Sequence, residues 1–242
     1  MLMTGVWRSA GRTDPGKVRA RNEDAFLDTP ERGLWVVADG MGGHQGGDIA
    51  SRLIVDSLAE LILSDDFDER VTQLRQCLHW LNRKLGQELT MLPDRADSII
   101  GSTVVLLSVH GKRAVCIWAG DSRCYLWRGK RLYQLSRDHS LQQQYMDEQQ
   151  MSAEQARRQP GAHALTRAVG VGPELKLEVL ELEVSPGDAF LLCSDGLYHS
   201  ISGEALGNAL SLTLPRVALD RLFDKALRGK ASDNLTAVVV RQ

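Results

Sequence analysis

Four aspartates each end an apolar run and open a tight turn: Asp39 before Gly40, Asp121 before Ser122, Asp195 before Gly196 and Asp233 before Asn234. A fifth, Asp24, lies in the acidic piece Asn22-Glu23-Asp24, just downstream of Arg19 and Arg21. A carboxylate at a strand end is held by rigid backbone, while the residue after it lets the chain turn and expose its carbonyl. Several such ends can converge on one spot. Donor sets made only of oxygen suit hard cations such as Mg²⁺ or Mn²⁺, whereas Zn²⁺ and copper favour His and Cys. Singly, Asp-Gly and Asp-Asn are ordinary turn dipeptides. Together, each led into by bulky apolar residues, they read as metal ligands.

The elements that must carry them follow from periodicity. Strand-type runs cover Val6 to Gly11, Ala25 to Leu27 and Leu34 to Ala38, the last stopping at Asp39-Gly40. Helical spacing of Ala50, Ile54, Leu58, Leu61 and Ile62, and then of Val71, Leu74, Leu78, Leu81, Leu85 and Leu89, predicts an antiparallel helix pair. Strands return at Ser102 to Val109 and Ala114 to Ala119, and Arg123 to Trp127 leads through Arg128-Gly129-Lys130 into Leu132 to Leu135, a hairpin closing an antiparallel meander. Residues 137–163, rich in Gln, Arg and Asp, read as an exposed insert. Strands at Leu177 to Val184, Ala189 to Cys193 and Leu235 to Val240 enclose helices at Glu204 to Leu212 and Arg216 to Leu227. The expected class is α+β: two stacked antiparallel sheets, a β-sandwich, flanked by helix pairs, in one domain spanning residues 1–242.

Composition narrows the function. The 242 residues are 43% apolar, 25% charged and 5% aromatic, with a formal charge of -2 and no basic run. Disorder and coiled coil are excluded, and electrostatic capture of nucleic acid is not expected. Cys77, Cys116, Cys124 and Cys193 form no C-x-x-C pair and read as reduced cytoplasmic thiols. No secretory or membrane-spanning pattern is present, so neither a membrane nor a nucleic acid is an expected partner. Two near misses fail on context. Cys77 and Arg83 have the spacing of a cysteine-phosphatase loop but lie in a helical apolar pattern without Gly, and Gly11 to Lys17 has P-loop spacing but Val18 replaces the metal-binding hydroxyl.

The ordered set Arg19-Ala20-Arg21-Asn22-Glu23-Asp24, Val37-Ala38-Asp39-Gly40-Met41-Gly42-Gly43-His44, Gly101-Ser102-Thr103, Ala119-Gly120-Asp121-Ser122-Arg123, Asp138-His139-Ser140, Leu165-Thr166-Arg167-Ala168-Val169-Gly170, Ser194-Asp195-Gly196-Leu197 and Ser232-Asp233-Asn234-Leu235-Thr236 resembles the type 2C (PPM) metal-dependent serine/threonine protein phosphatases. The resemblance runs along almost the whole chain and is to the bacterial stand-alone type. It implies two Mn²⁺ or Mg²⁺ ions per site, with Asp39 bridging both, the Gly40 carbonyl completing one, and Asp195 and Asp233 holding the other. Asp24, beside Glu23, would act through metal-bound water, and Asp121 would bind a weaker third metal. Two such ions activate a shared water for in-line displacement at phosphorus.

Arg19 is the first candidate for a bidentate grip on the phosphate, with Arg21 as its competitor. His44 is the candidate general acid for the leaving oxygen. Eukaryotic members place a His directly after Asp-Gly, where this chain has Met41. Residues 137–163 match the position of the bacterial flap subdomain. The expected protein is a monomeric cytoplasmic phosphatase of phosphoserine and phosphothreonine proteins that opposes a serine/threonine kinase. The rival reading is a binding module of the same fold that senses phosphoproteins without turning them over.

Overall fold

In the run that opens at Leu34, alternate side chains part to two different cores. Strand β3 (Leu34–Met41) sends Leu34, Val36 and Ala38 toward helices, and Trp35 and Val37 toward a second sheet. Both faces are buried, which is why the run is apolar without a break. The computed structural model describes residues 6–42, 46–86 and 100–242.

Two antiparallel sheets form the centre. The first contains β1 (Arg8–Asp14), β7 (Arg123–Arg128), β8 (Arg131–Gln134), β10 (Ala189–Cys193) and β11 (Leu235–Arg241), in the order β1-β11-β10-β7-β8. The second runs β2-β3-β5-β6-β9, formed by β2 (Asp24–Thr29), β3, β5 (Val104–His110), β6 (Arg113–Ala119) and β9 (Glu178–Glu183), with β4 (Gly101–Ser102) paired to β3. Trp35, Val105, Leu107, Cys124, Phe190, Leu192 and Val238 fill the space between the sheets.

Helices α1 (Gly47–Glu60) and α2 (Phe67–Lys84) cover the outer face of the second sheet through Ile54, Leu58, Leu74 and Leu78. On the first sheet the cover is three helices, α5 (Asp195–Ser200), α6 (Gly203–Leu210) and α7 (Pro215–Arg228), packed through Leu197, Leu206, Leu219 and Phe223. The architecture is thus the expected α+β sandwich with helices outside.

Three details differ from the sequence reading. Strand β3 does not stop before Asp39-Gly40, because Gly40 and Met41 go on pairing with Ser102 and Gly101 of β4. The central strands are not one meander: β5 and β6 form a hairpin in one sheet, but the next strand, β7, lies in the other. Gly120, at φ +115°, turns the chain at that crossing. The polar insert also has regular structure, α3 (Leu141–Glu148) and α4 (Ala153–Arg157), started by the side-chain caps of Ser140 and Ser152. Among the described residues no helix is long and apolar enough to cross a membrane.

Candidate active site

Asp24 opens β2 directly opposite Asp39 in β3, so their side chains leave the same face of the sheet as cross-strand neighbours. Asp24 Oδ2 accepts the Ser194 hydroxyl at 2.8 Å. Its Oδ1 is buried with no hydrogen-bond partner. Burial, against the hydrogen bonds from Thr236 and Ser194, pushes the Asp24 carboxyl up to about 6. Asp39 is held well above the usual carboxylate range, first by burial and then by the charges of Asp24, Asp195, Asp121 and Asp233. Asp121 is pushed up to about 7 by burial and by Asp195 and Asp138. Four of the five sequence-selected acids therefore act on the fifth.

Fixed backbone carries each of them. The Asp39 N–H donates to Thr103 Oγ1 at 3.1 Å, and its carbonyl accepts the Thr103 N–H and the Ser102 hydroxyl, both at 2.9 Å. At Gly40 the N–H donates to the Glu23 carbonyl at 3.1 Å. A Cβ there would lie 2.0 Å from the Gly47 carbonyl, so only glycine lets the start of α1 seat against this strand. Asp195 is the first residue of α5 rather than the end of a turn, and a Cβ on Gly196 would lie 2.1 Å from the Asn234 carbonyl. Asp121 follows the crossing at Gly120, and its carbonyl accepts the Tyr198 hydroxyl at 3.0 Å.

Asn234 closes the cleft from the other side. Its carboxamide accepts the Glu23 N–H at 2.9 Å and donates to the carbonyls of Pro15 and Arg21 at 3.0 and 2.9 Å. The loop before β2 is thereby tied to the start of β11. Arg19, on that loop, holds Asp233 with both ends of its fork, at 2.8 and 2.9 Å. Arg21 gives its carbonyl to Asn234 and leaves its side chain exposed. His44 lies outside the described residues.

Sequence reasoning missed Asp48, which sits in the first turn of α1 with Oδ1 buried and without a hydrogen-bond partner. An acid there read as a favourable helix start and nothing more. It raises the neighbouring Glu23 carboxyl, after burial, which is the larger cause. Ser194 and Thr103 were likewise invisible as supports, because short hydroxyl residues are common everywhere.

Among the described residues no three His, Cys, Asp or Glu side chains are drawn together into a ready ligand set. Asp233 is turned onto Arg19. The donor chemistry nonetheless fits divalent cations. Carboxylates brought near one another, Asp24 and Asp48 each with a buried orphaned oxygen, need more positive charge than Arg19 supplies from its bond to Asp233 and its reach to Asp39 and Glu23.

Residues 17–237 match the family model described as protein phosphatase 2C. The serine/threonine protein phosphatase PstP of Mycobacterium tuberculosis is 35% identical over 237 residues, which is 98% of this chain and 45% of that relative. The chain thus spans about half of that relative's length. Among solved structures, PppA, described as a key regulatory component of the T6SS in Pseudomonas aeruginosa, superposes with a TM-score of 0.89 at 44% identity, covering 98% of each chain. A catalytic domain of PstP in complex with two manganese ions superposes with a TM-score of 0.83 at 34% identity, again over 98% of each chain. With the family match extending from the Arg19 loop to β11 and both sheets superposing, the chain belongs to the protein phosphatase 2C family.

Proposed function

We propose that this chain is a metal-dependent protein serine/threonine phosphatase that hydrolyses phosphoserine and phosphothreonine in proteins. The observation that carries the reading is the placement of Asp24, Asp121, Asp195 and Asp233 close enough to Asp39 for their charges to act on it, with Asp24 buried and one of its oxygens unpartnered. Manganese in the related PstP domain supports the same reading.

Asp39, the Gly40 carbonyl, Asp195 and Asp233 would hold two Mn²⁺ or Mg²⁺ ions, Asp24 would act beside them, and Asp121 would serve a weaker third. When bound, such ions neutralise the acids, lower the pKa of a water and polarise the phosphoryl group. The chain's own residues do the rest. Ser194 holds the Asp24 carboxylate and Thr103 the Asp39 backbone, so both start from defined positions. Arg19 is more than half exposed and close enough to Asp233 to move between that carboxylate and a phosphate. His44 remains the candidate for protonating the leaving oxygen. Residues 137–163 act as a flap on a single domain, and the protein works as a cytoplasmic monomer against a serine/threonine kinase.

The decisive experiment follows hydrolysis of a phosphothreonine peptide after chelation and Mn²⁺ addition, for the wild type, Asp195→Asn and Asp233→Asn. Mn²⁺ should restore turnover in the wild type, while each variant falls by at least about a hundredfold, the scale expected when a developing charge loses its stabiliser. A folded, Mn²⁺-loaded wild type inactive on several phosphopeptides would favour the binding module.

A further inference from the structure

Both ends of the flap meet at one buried histidine. His139 is 5% exposed, and its ring stacks on Trp118, with centroids 6.2 Å apart and planes 12° from parallel. Its carbonyl accepts the Thr166 N–H at 2.9 Å, joining the chain that enters the flap to the chain that leaves it. Ser140 and Leu165 bridge the next step outward. Toward the cleft, His139 and Gly120 bond reciprocally: the His139 N–H donates to the Gly120 carbonyl at 2.9 Å, and Nδ1 accepts the Gly120 N–H at 3.1 Å. Gly120 is the residue before Asp121.

An imidazole nitrogen that accepts an amide N–H carries no proton, so the ring proton sits on Nε2. Nε2 lies 3.1 Å from Glu178 Oε1 and 3.2 Å from Arg167 Nη1, which itself donates to Glu178 Oε1 at 3.1 Å. The side chain thus bridges two strands and the exit of the flap. A second tie runs parallel to it. Asp138 holds Arg123 at 2.8 and 2.6 Å, Arg123 lies over the Tyr198 ring at 3.6 Å, and the Tyr198 hydroxyl donates to the Asp121 carbonyl. Asp121 is gripped on both sides of its own peptide by groups rooted in the flap's base.

We propose that His139 is a positioning residue for the phosphatase site, one whose neutral imidazole locks the Gly120 amide, and with it the backbone bearing Asp121, to the base of the flap. The proposal rests on the functional reading of Asp121 given above. Seating of the flap and placement of that carboxylate are then one event.

The two ring nitrogens can be separated by substitution. In His139→Asn the carboxamide oxygen falls near the place of Nδ1 and can still accept the Gly120 N–H. In His139→Gln the amide reaches toward the place of Nε2 and Glu178 instead. Hydrogen–deuterium exchange at Gly120 and across residues 141–164 is measured alongside kcat and KM on a phosphothreonine peptide.

His139→Asn should keep Gly120 protected and kcat within about threefold of wild type. His139→Gln and His139→Ala should expose that amide and lower kcat by about tenfold with little change in KM, the loss expected for one buried hydrogen bond. Equal exchange at Gly120 in the Asn and Gln variants would overturn the proposal. So would a Gly120 amide as protected in His139→Ala as in wild type.

If the alanine variant does not fold, Glu178→Ala decides, since Glu178 is substantially exposed on β9. It should raise exchange across residues 141–164 at an unchanged melting temperature, and unchanged exchange there would count against us. Should the wild type turn over no phosphopeptide, the functional reading fails while the exchange comparison still decides the role of His139.

Discussion

Asp24 concentrates the tension of the site in one side chain. One oxygen is satisfied by Ser194 and the other by nothing, and burial holds the carboxyl at about 6, above the unfolded value of about 3.9. A carboxyl raised on folding contributes stability that is fully present below the unfolded pKa and lost as pH rises through the folded one. In a chelator, then, the melting temperature should fall between pH 4 and about 6. Asp24→Asn removes the buried charge while leaving an acceptor for Ser194. It should flatten that fall and raise the melting temperature at neutral pH, as scanning calorimetry would show; a steeper fall would refute the assignment.

Asp39, Asp121, Asp195 and Asp233 were legible because each follows an apolar run at a tight turn, and Asp24 because it lies in the acidic piece Asn22-Glu23-Asp24. Asp48 was not, since an acid in a first helical turn has an ordinary local explanation. Nor was the pairing of Arg19 with Asp233, which depends on a loop folding back across more than two hundred positions.

At the level of elements, the pattern gave away those with one clear period and hid those set by a neighbour. Helices α1, α2, α6 and α7 and the long strands fall within a few residues of the expected runs, with Leu89 of the α2 run outside the described residues, because burial on a defined face imposes the period. Strand β4 has two residues and exists only through its neighbours, pairing with β3 and bridging from Ser102 to Val169, and α5 has six. The sheet switch between β6 and β7 also leaves no periodic trace, since either sheet would bury the same side chains.

The join of β3 to α1 shows how tight these fittings are. A methyl at residue 40 would meet the Gly47 and Glu23 carbonyls at 2.0 and 2.6 Å. Gly40→Ala should cost about 1–3 kcal/mol in denaturant unfolding and weaken Mn²⁺ binding in calorimetry, because α1 must move away from the cleft. Unchanged stability would mean that the two elements are not in contact as described.

Over the whole molecule, three apolar layers hold four layers of secondary structure, and the central layer joins the two sheets. Phe190 is fully buried there, on β10 and five residues before Asp195. Phe190→Ala should destabilise by about 3–5 kcal/mol in denaturant unfolding while leaving kcat per folded molecule close to wild type. A drop in kcat as large as the loss in stability would show that sheet separation reaches the cleft.

The order β1-β11-β10-β7-β8 has a consequence for the timing of synthesis. Strand β1 is made before the other described strands, yet among the described residues its one partner in the sheet is β11, whose register runs from Arg8 opposite Arg241 to Asp14 opposite Leu235. Until that last strand arrives, β1 has no place to anneal. Asp233 and Asn234 arrive in the same few seconds, at translation rates of about 5–20 residues per second. A nascent chain therefore carries Asp24, Asp39, Asp121 and Asp195 without the pieces that close the cleft until β11 has been made.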